Sequence, residues 1–176
     1  MEMAILDVIK SRREITKFEE RKILDEVMEE ILDAAYYAPT GNNLLSREFI
    51  VVKDRRKLDQ LESTTPFMKW MSTAQGAIVV TGRPKISKYW LQDASIACGF
   101  IWLAATELGL GLGFGAVYHS EDEEESVKRE SYVREKLNIP ADRRIVAILG
   151  LGYPGEKPKE KKLNERTETI FYEKFK

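Results

Sequence analysis

From Asp93 to Leu108 apolar side chains fall on every side of a helical wheel, including Ile96, Ala97, Phe100, Ile101, Trp102, Leu103 and Ala105. A helix that is apolar all round must be covered on several sides, by protein or by lipid. Lipid is the poorer fit, because Gly99, Thr106, Glu107 and Gly109 break the run from Ile96 to Leu112. The segment is therefore expected to form the centre of a fold that wraps around it.

The rest of the chain supplies the wrapping. Ala4, Ile5, Val8 and Ile9 fall at helical spacing before Ser11, and Val27, Met28, Ile31, Leu32 and Ala35 mark an amphipathic helix from Asp25. Pro39 and Gly41 stop that helix. The β-branched runs Phe49 to Val52, Ala77 to Val80 and Ile145 to Leu151 read as strands. Arg55 to Leu61 reads as a short charged helix, and the Gly-rich stretch Leu112 to Tyr118 as a loop entering a strand. Ser120 to Glu123 has the form of a capping box, opening a polar helix to about Leu137 that ends at Asn138-Ile139-Pro140. No repeat or linker divides the 176 residues, so residues 1–176 are expected to form one α+β domain of two or three layers.

Composition removes several function classes. The net charge of -1 argues against a general nucleic-acid binder. Cys98 is the only cysteine, so no intrachain disulfide forms, and a reducing cytoplasm is the natural compartment. Its apolar setting suits a packed core residue better than a nucleophile. The N-terminus lacks the pattern of a signal peptide, and no segment suits a membrane span. Glu121 to Glu125 has no acidic or histidine partner at ligand spacing, so it reads as a solvated helix start rather than a metal site. His119 is the only histidine, and nothing pairs it with a nucleophile.

Three motifs carry chemistry. Arg12 and Arg13 offer planar donors and fixed positive charge, which suit a phosphate. The turn Ala38-Pro39-Thr40-Gly41-Asn42-Asn43 offers amides and a hydroxyl, which suit a polyhydroxyl chain and a heteroaromatic edge. Gly111 to Ala116 fits G-x-G-x-x-A, but a nicotinamide-binding Rossmann site needs a strand before the glycines and a helix after them. Here a helix precedes and a strand follows. A helix C-cap at Gly109 or Gly111, with the backbone then passing close to something flat, is the better reading.

Four segments in register resemble the FMN-dependent nitroreductase family. They are Ser11 to Phe18, Ala38 to Asn43, Gln92 to Gly111, and Leu151-Gly152-Tyr153-Pro154 with the basic tail that follows. The resemblance spans nearly the whole chain and suggests a short member. It implies a mixed central sheet flanked by helices, in an intertwined homodimer with FMN at the interface, and a tail (156–176) docked on the partner subunit. It further implies that Arg12 and Arg13 grip the phosphate and the pyrimidine side of the ring, with Glu14 beside them. Pro39, Thr40, Gly41, Asn42 and Asn43 would approach from the other subunit. Gly115 and Ala116 would present a backbone N–H to flavin N5, and Lys161 and Lys162 would support the phosphate.

The same resemblance implies an enzyme in which FMN carries the chemistry and no side chain acts as nucleophile. NADH or NADPH would be the donor, and a nitroaromatic, quinone or similar flat small molecule the acceptor. This chain departs from the family at Glu14, at Thr16, at Leu45-Ser46-Arg47 and in the tail, where Lys161-Lys162 is followed by Arg166. Those departures leave room for a flavin carrier or sensor without turnover.

Overall fold

The computed structural model describes residues 4–175. Five α-helices and four strands alternate: α1 (Ile5–Ser11), α2 (Asp25–Tyr37), β1 (Arg47–Val52), α3 (Arg55–Leu61), β2 (Gly76–Gly82), α4 (Trp90–Glu107), β3 (Gly111–Ala116), α5 (Glu123–Leu137) and β4 (Arg144–Gly152). The sheet order is β1-β2-β4-β3, and every neighbouring pair is antiparallel. A parallel bridge of Glu14 to Leu112 lays the segment after α1 along the outer edge of β3.

The sheet is the middle of three layers. On one face Ile78, Val80, Leu149 and Leu151 pack with Ile31 and Ala35 of α2 and Ala94, Cys98 and Ile101 of α4. On the other, Ala77, Val79, Ile145 and Ile148 pack with Leu58 and Leu61 of α3 and Val133 of α5. Strand β2 is buried along its whole length, as a continuous apolar strand with both faces covered should be. In β4 Val146 is an extra residue between the partners of Val80 and Thr81, and its carbonyl accepts both the Val117 and Tyr118 N–H groups. This bulge ends β3 and turns the chain toward α5.

Local chemistry sets the boundaries. Ala38, ahead of Pro39, is extended and closes α2. Gly109 adopts φ +77° after α4, and the Leu110 N–H returns to the Ala105 carbonyl, so Gly109 rather than Gly111 is the C-cap glycine. Asn138 takes the same left-handed role after α5. The start of α5 corrects the sequence reading: Asp122, not Ser120, is the N-cap, accepting from the Glu125 N–H. Both residues precede a glutamate by three, so spacing alone favours neither, and the path of the chain chooses.

Candidate functional site

The glycines of Gly111 to Ala116 lie inside strand β3, not in a loop. A Cβ at Gly113 would meet the Trp70 ring at 2.7 Å, and one at Gly111 would meet Ile15 at 2.6 Å. A Cβ at Gly115 would strike Met68 at 2.5 Å. The flat object expected beside this backbone is thus the indole of Trp70. The glycines admit the chain's own side chains, and with α4 before β3 the Rossmann context is absent.

The outer edge of β3 remains the interesting face. Leu112 accepts the Ile15 N–H, and the Phe114 N–H donates to Glu14 Oε1 at 3.2 Å. Strand parity then turns the Ala116 N–H to the same outer edge, where Ala116 is exposed and its carbonyl accepts from Arg129. The carboxylate of Glu14 thus holds a backbone N–H of β3.

Arg12 and Arg13, adjacent in sequence, have different surroundings. Arg13 spends its guanidinium on main-chain carbonyls: Nη1 on Lys10 and Arg12 at 2.8 Å each, and Nε on Lys159 at 3.2 Å. This leaves Nη2 without an acceptor among the described residues and ties the segment to the tail. The Arg12 guanidinium has no acceptor among the described residues, and lies with Cζ 4.4 Å from the centroid of the Trp102 ring. Trp102 stacks on Phe114 at 5.9 Å and donates its indole N–H to the Arg13 carbonyl at 3.3 Å. Lys161 and Lys162 are exposed, two and three residues beyond the carbonyl that Arg13 holds.

The second segment is built from the other end of α4. Asp93 is only 3 % exposed, and its carboxylate accepts the Gly41 N–H at 2.9 Å and the Ser46 hydroxyl at 2.5 Å. Arg47 donates to the Ala35, Tyr36 and Ala38 carbonyls at the end of α2. Burial lowers the pKa of its guanidinium from the usual value, and the nearby Asp93 charge opposes that shift. Between these anchors Asn42 and Asn43 take positive φ and expose their side chains, while Pro39 is exposed and Thr40 half-buried. Gly41 packs on Tyr89, so its smallness and its N–H both serve the loop itself. Asp93, Arg47 and Trp102 are the residues that motif reading missed. A carboxylate inside the most apolar helix was the available signal for Asp93, since buried charge needs partners.

Within one chain the two segments are anchored on different turns of α4. Nine residues of α4 separate Asp93 from Trp102, a rise of roughly 13 Å at about 1.5 Å per residue. On the face of α4 between them, Ile96 is 41 % exposed and Phe100 40 %.

Comparison with known proteins agrees with this architecture. The sequence profile described as "Nitroreductase family" matches residues 9–66 and 59–153. A protein of Archaeoglobus fulgidus, named as a candidate NADH dehydrogenase/NAD(P)H nitroreductase, is 39 % identical over 153 residues, covering 85 % of this chain and 84 % of its own. A crystal structure from Bacteroides thetaiotaomicron, given the same name, superposes with TM-score 0.89 at 31 % identity, covering 99 % of this chain and 100 % of its own. An FMN-dependent nitroreductase of Clostridium difficile superposes with TM-score 0.86 at 31 % identity, over 97 % of this chain and 99 % of its own. With the profile matched across most of its length and the three-layer fold shared, the chain belongs to the nitroreductase family.

Proposed function

We propose that the protein is an FMN-dependent oxidoreductase that draws electrons from NADH or NADPH and reduces nitroaromatics, quinones or similar flat acceptors. The observation that carries this reading is the half-buried Arg12 guanidinium, without an acceptor among the described residues, over the Trp102 ring that stacks on Phe114 of β3. The donor set fits FMN. Arg12 offers its fork to the phosphate, with Nη2 of Arg13 and the nearby Lys161 and Lys162 adding positive charge. The outward Ala116 N–H offers one donor to a heteroaromatic edge. When bound, FMN supplies the hydride chemistry, passing electrons from the nicotinamide to an acceptor that takes its place. The protein's share is to bind, orient and supply charge, so its single histidine and buried cysteine need no catalytic role.

The site is completed by a second copy of the chain. In the homodimer, the exposed face of α4 is covered and the loop Pro39 to Asn43 of one subunit reaches the arginines of the other. The apolar side chains of Ile96 and Phe100 left exposed on α4 support this arrangement. The tail beyond Gly155, with Leu163, Tyr172 and Phe175 exposed, docks on the partner subunit.

An absorbance spectrum tests the reading. The protein reconstituted with FMN should show flavin bands, lose them on anaerobic addition of NADPH or NADH, and regain them over many turnovers with an acceptor. Absence of flavin binding overturns the proposal, and flavin that binds but is never bleached makes the protein a carrier.

A further inference from the structure

We propose that Trp102 is a positioning residue for phosphate recognition, holding Arg12 ready for an anion without consuming its donors. This deepens the FMN reading above and rests on it. An arginine held by a carboxylate or carbonyl has its N–H edge occupied, as Arg13 illustrates on Lys10, Arg12 and Lys159. An arginine held on an aromatic face is fixed through its plane, and its N–H edge stays free. Arg12 is of the second kind, with Cζ 4.4 Å from the Trp102 centroid and no acceptor among the described residues.

Trp102 is well placed for this task. It belongs to α4, the helix whose Ala97, Cys98, Ile101 and Ala105 are buried, so its backbone is held by core packing. Its ring stacks on Phe114 of β3, 5.9 Å between centroids and 21° between planes. Its Nε1–H donates to the Arg13 carbonyl at 3.3 Å. One side chain thus contacts the guanidinium of Arg12, the main chain of Arg13 and the strand carrying the Ala116 N–H. A flexible arginine immobilised before the ligand arrives loses less freedom on binding, so affinity for the phosphate rises specifically.

The experiment compares FMN with riboflavin, which lacks the phosphate. Flavin-stripped, full-length protein is titrated with each by fluorescence, and the ratio of the two Kd values isolates phosphate recognition. The wild type should favour FMN strongly, and Arg12→Ala should reduce that preference about tenfold or more. Trp102→Leu should reduce it about three- to tenfold while riboflavin Kd stays within about twofold, and Trp102→Phe should recover most of the loss. In the Arg12→Ala background, Trp102→Leu should change the ratio no further. Should Trp102→Leu not fold, Trp102→Met removes the same ring with a closer fit. A Trp102 variant that keeps the wild-type preference overturns the proposal and leaves the FMN reading standing. So does a Trp102 effect that persists without Arg12. A wild type that binds FMN and riboflavin equally overturns the phosphate site itself, and the role of Trp102 with it.

Discussion

Asp93 shows what one buried carboxylate can organise. It takes an N–H from Gly41 and a hydroxyl from Ser46, and so fixes both ends of the turn carrying Asn42 and Asn43. Hydrogen bonds to a charged group contribute about 1.5–3 kcal/mol each, and donors left buried and unpaired cost more. Asp93→Ala should therefore destabilise the fold by about 3 kcal/mol and lower Tm by roughly 6–12 °C, read by thermal circular dichroism. An unchanged Tm would show that the turn holds itself. Cys98 gives a second prediction at this scale. Burial pushes its thiol from 9.0 to about 12, so the neutral form is favoured in the native state. Its contribution to stability is fully present below pH 9 and is lost as pH rises toward 12. At pH 8 a thiol reagent should leave the native protein unmodified and label it once per chain in denaturant. Rapid native labelling would contradict the burial. Neither Asp93's partners nor the different contacts of Arg12 and Arg13 could be read from the sequence, because each depends on residues far away in the chain.

Among the elements, β3 departs most from its sequence signal. Its glycine content reads as a loop entering a strand, since glycine weakens an isolated strand. The strand forms because β4 pairs with it, while Ile15, Trp70 and Met68 fill the space its missing side chains leave. Gly113→Val would force atoms into Trp70, and the Ile15 carbonyl 3.0 Å from the added Cβ limits relaxation. Overpacking of this kind costs about 1–3 kcal/mol, so Tm should fall by roughly 3–10 °C. A wild-type melting curve for Gly113→Val would mean that Trp70 moves freely. The helices were more legible. The ends of α2 at Ala38-Pro39 and of α5 at Asn138 follow from local dihedral preferences, which operate wherever the chain goes. The capping residue of α5 was misplaced by two positions because Ser120 and Asp122 satisfy the same local rule.

At the scale of the whole molecule, apolar surface is left open where a single chain has nothing to cover it. Ile96 and Phe100 of α4 and Ile5, Leu6 and Ile9 of α1 are exposed, as are Tyr172 and Phe175 of the tail. Exposed apolar patches of this kind mark interaction surfaces. The proposed homodimer predicts that wild type runs at twice its chain mass of 20.3 kDa in light scattering. Ile96→Asp with Phe100→Asp should shift it to the monomer mass and lower its flavin content, because both sets of ligands are then no longer within reach. A wild-type monomer with tightly bound FMN would contradict the two-copy site. Among the described residues no helix is long and apolar enough to cross a membrane.

By itself the sequence determined the elements whose signals are local: the helix and strand periodicities, the breaks at proline and glycine, the all-apolar α4 and the two polar segments that suit a cofactor. Short-range dihedral and hydrophobic preferences suffice for these, because they need no knowledge of distant partners. The tertiary structure decided what those segments contact. It made the glycine run a strand packed on Trp70, turned Glu14 to the Phe114 N–H, and bound Arg13 to carbonyls while leaving Arg12 on Trp102. It also placed the contacts of the Gly41 turn and of Arg12 about two and a half turns apart along α4. Each of these outcomes depends on contacts between residues far apart in sequence, and such contacts exist only once the sheet has brought the helices and loops together.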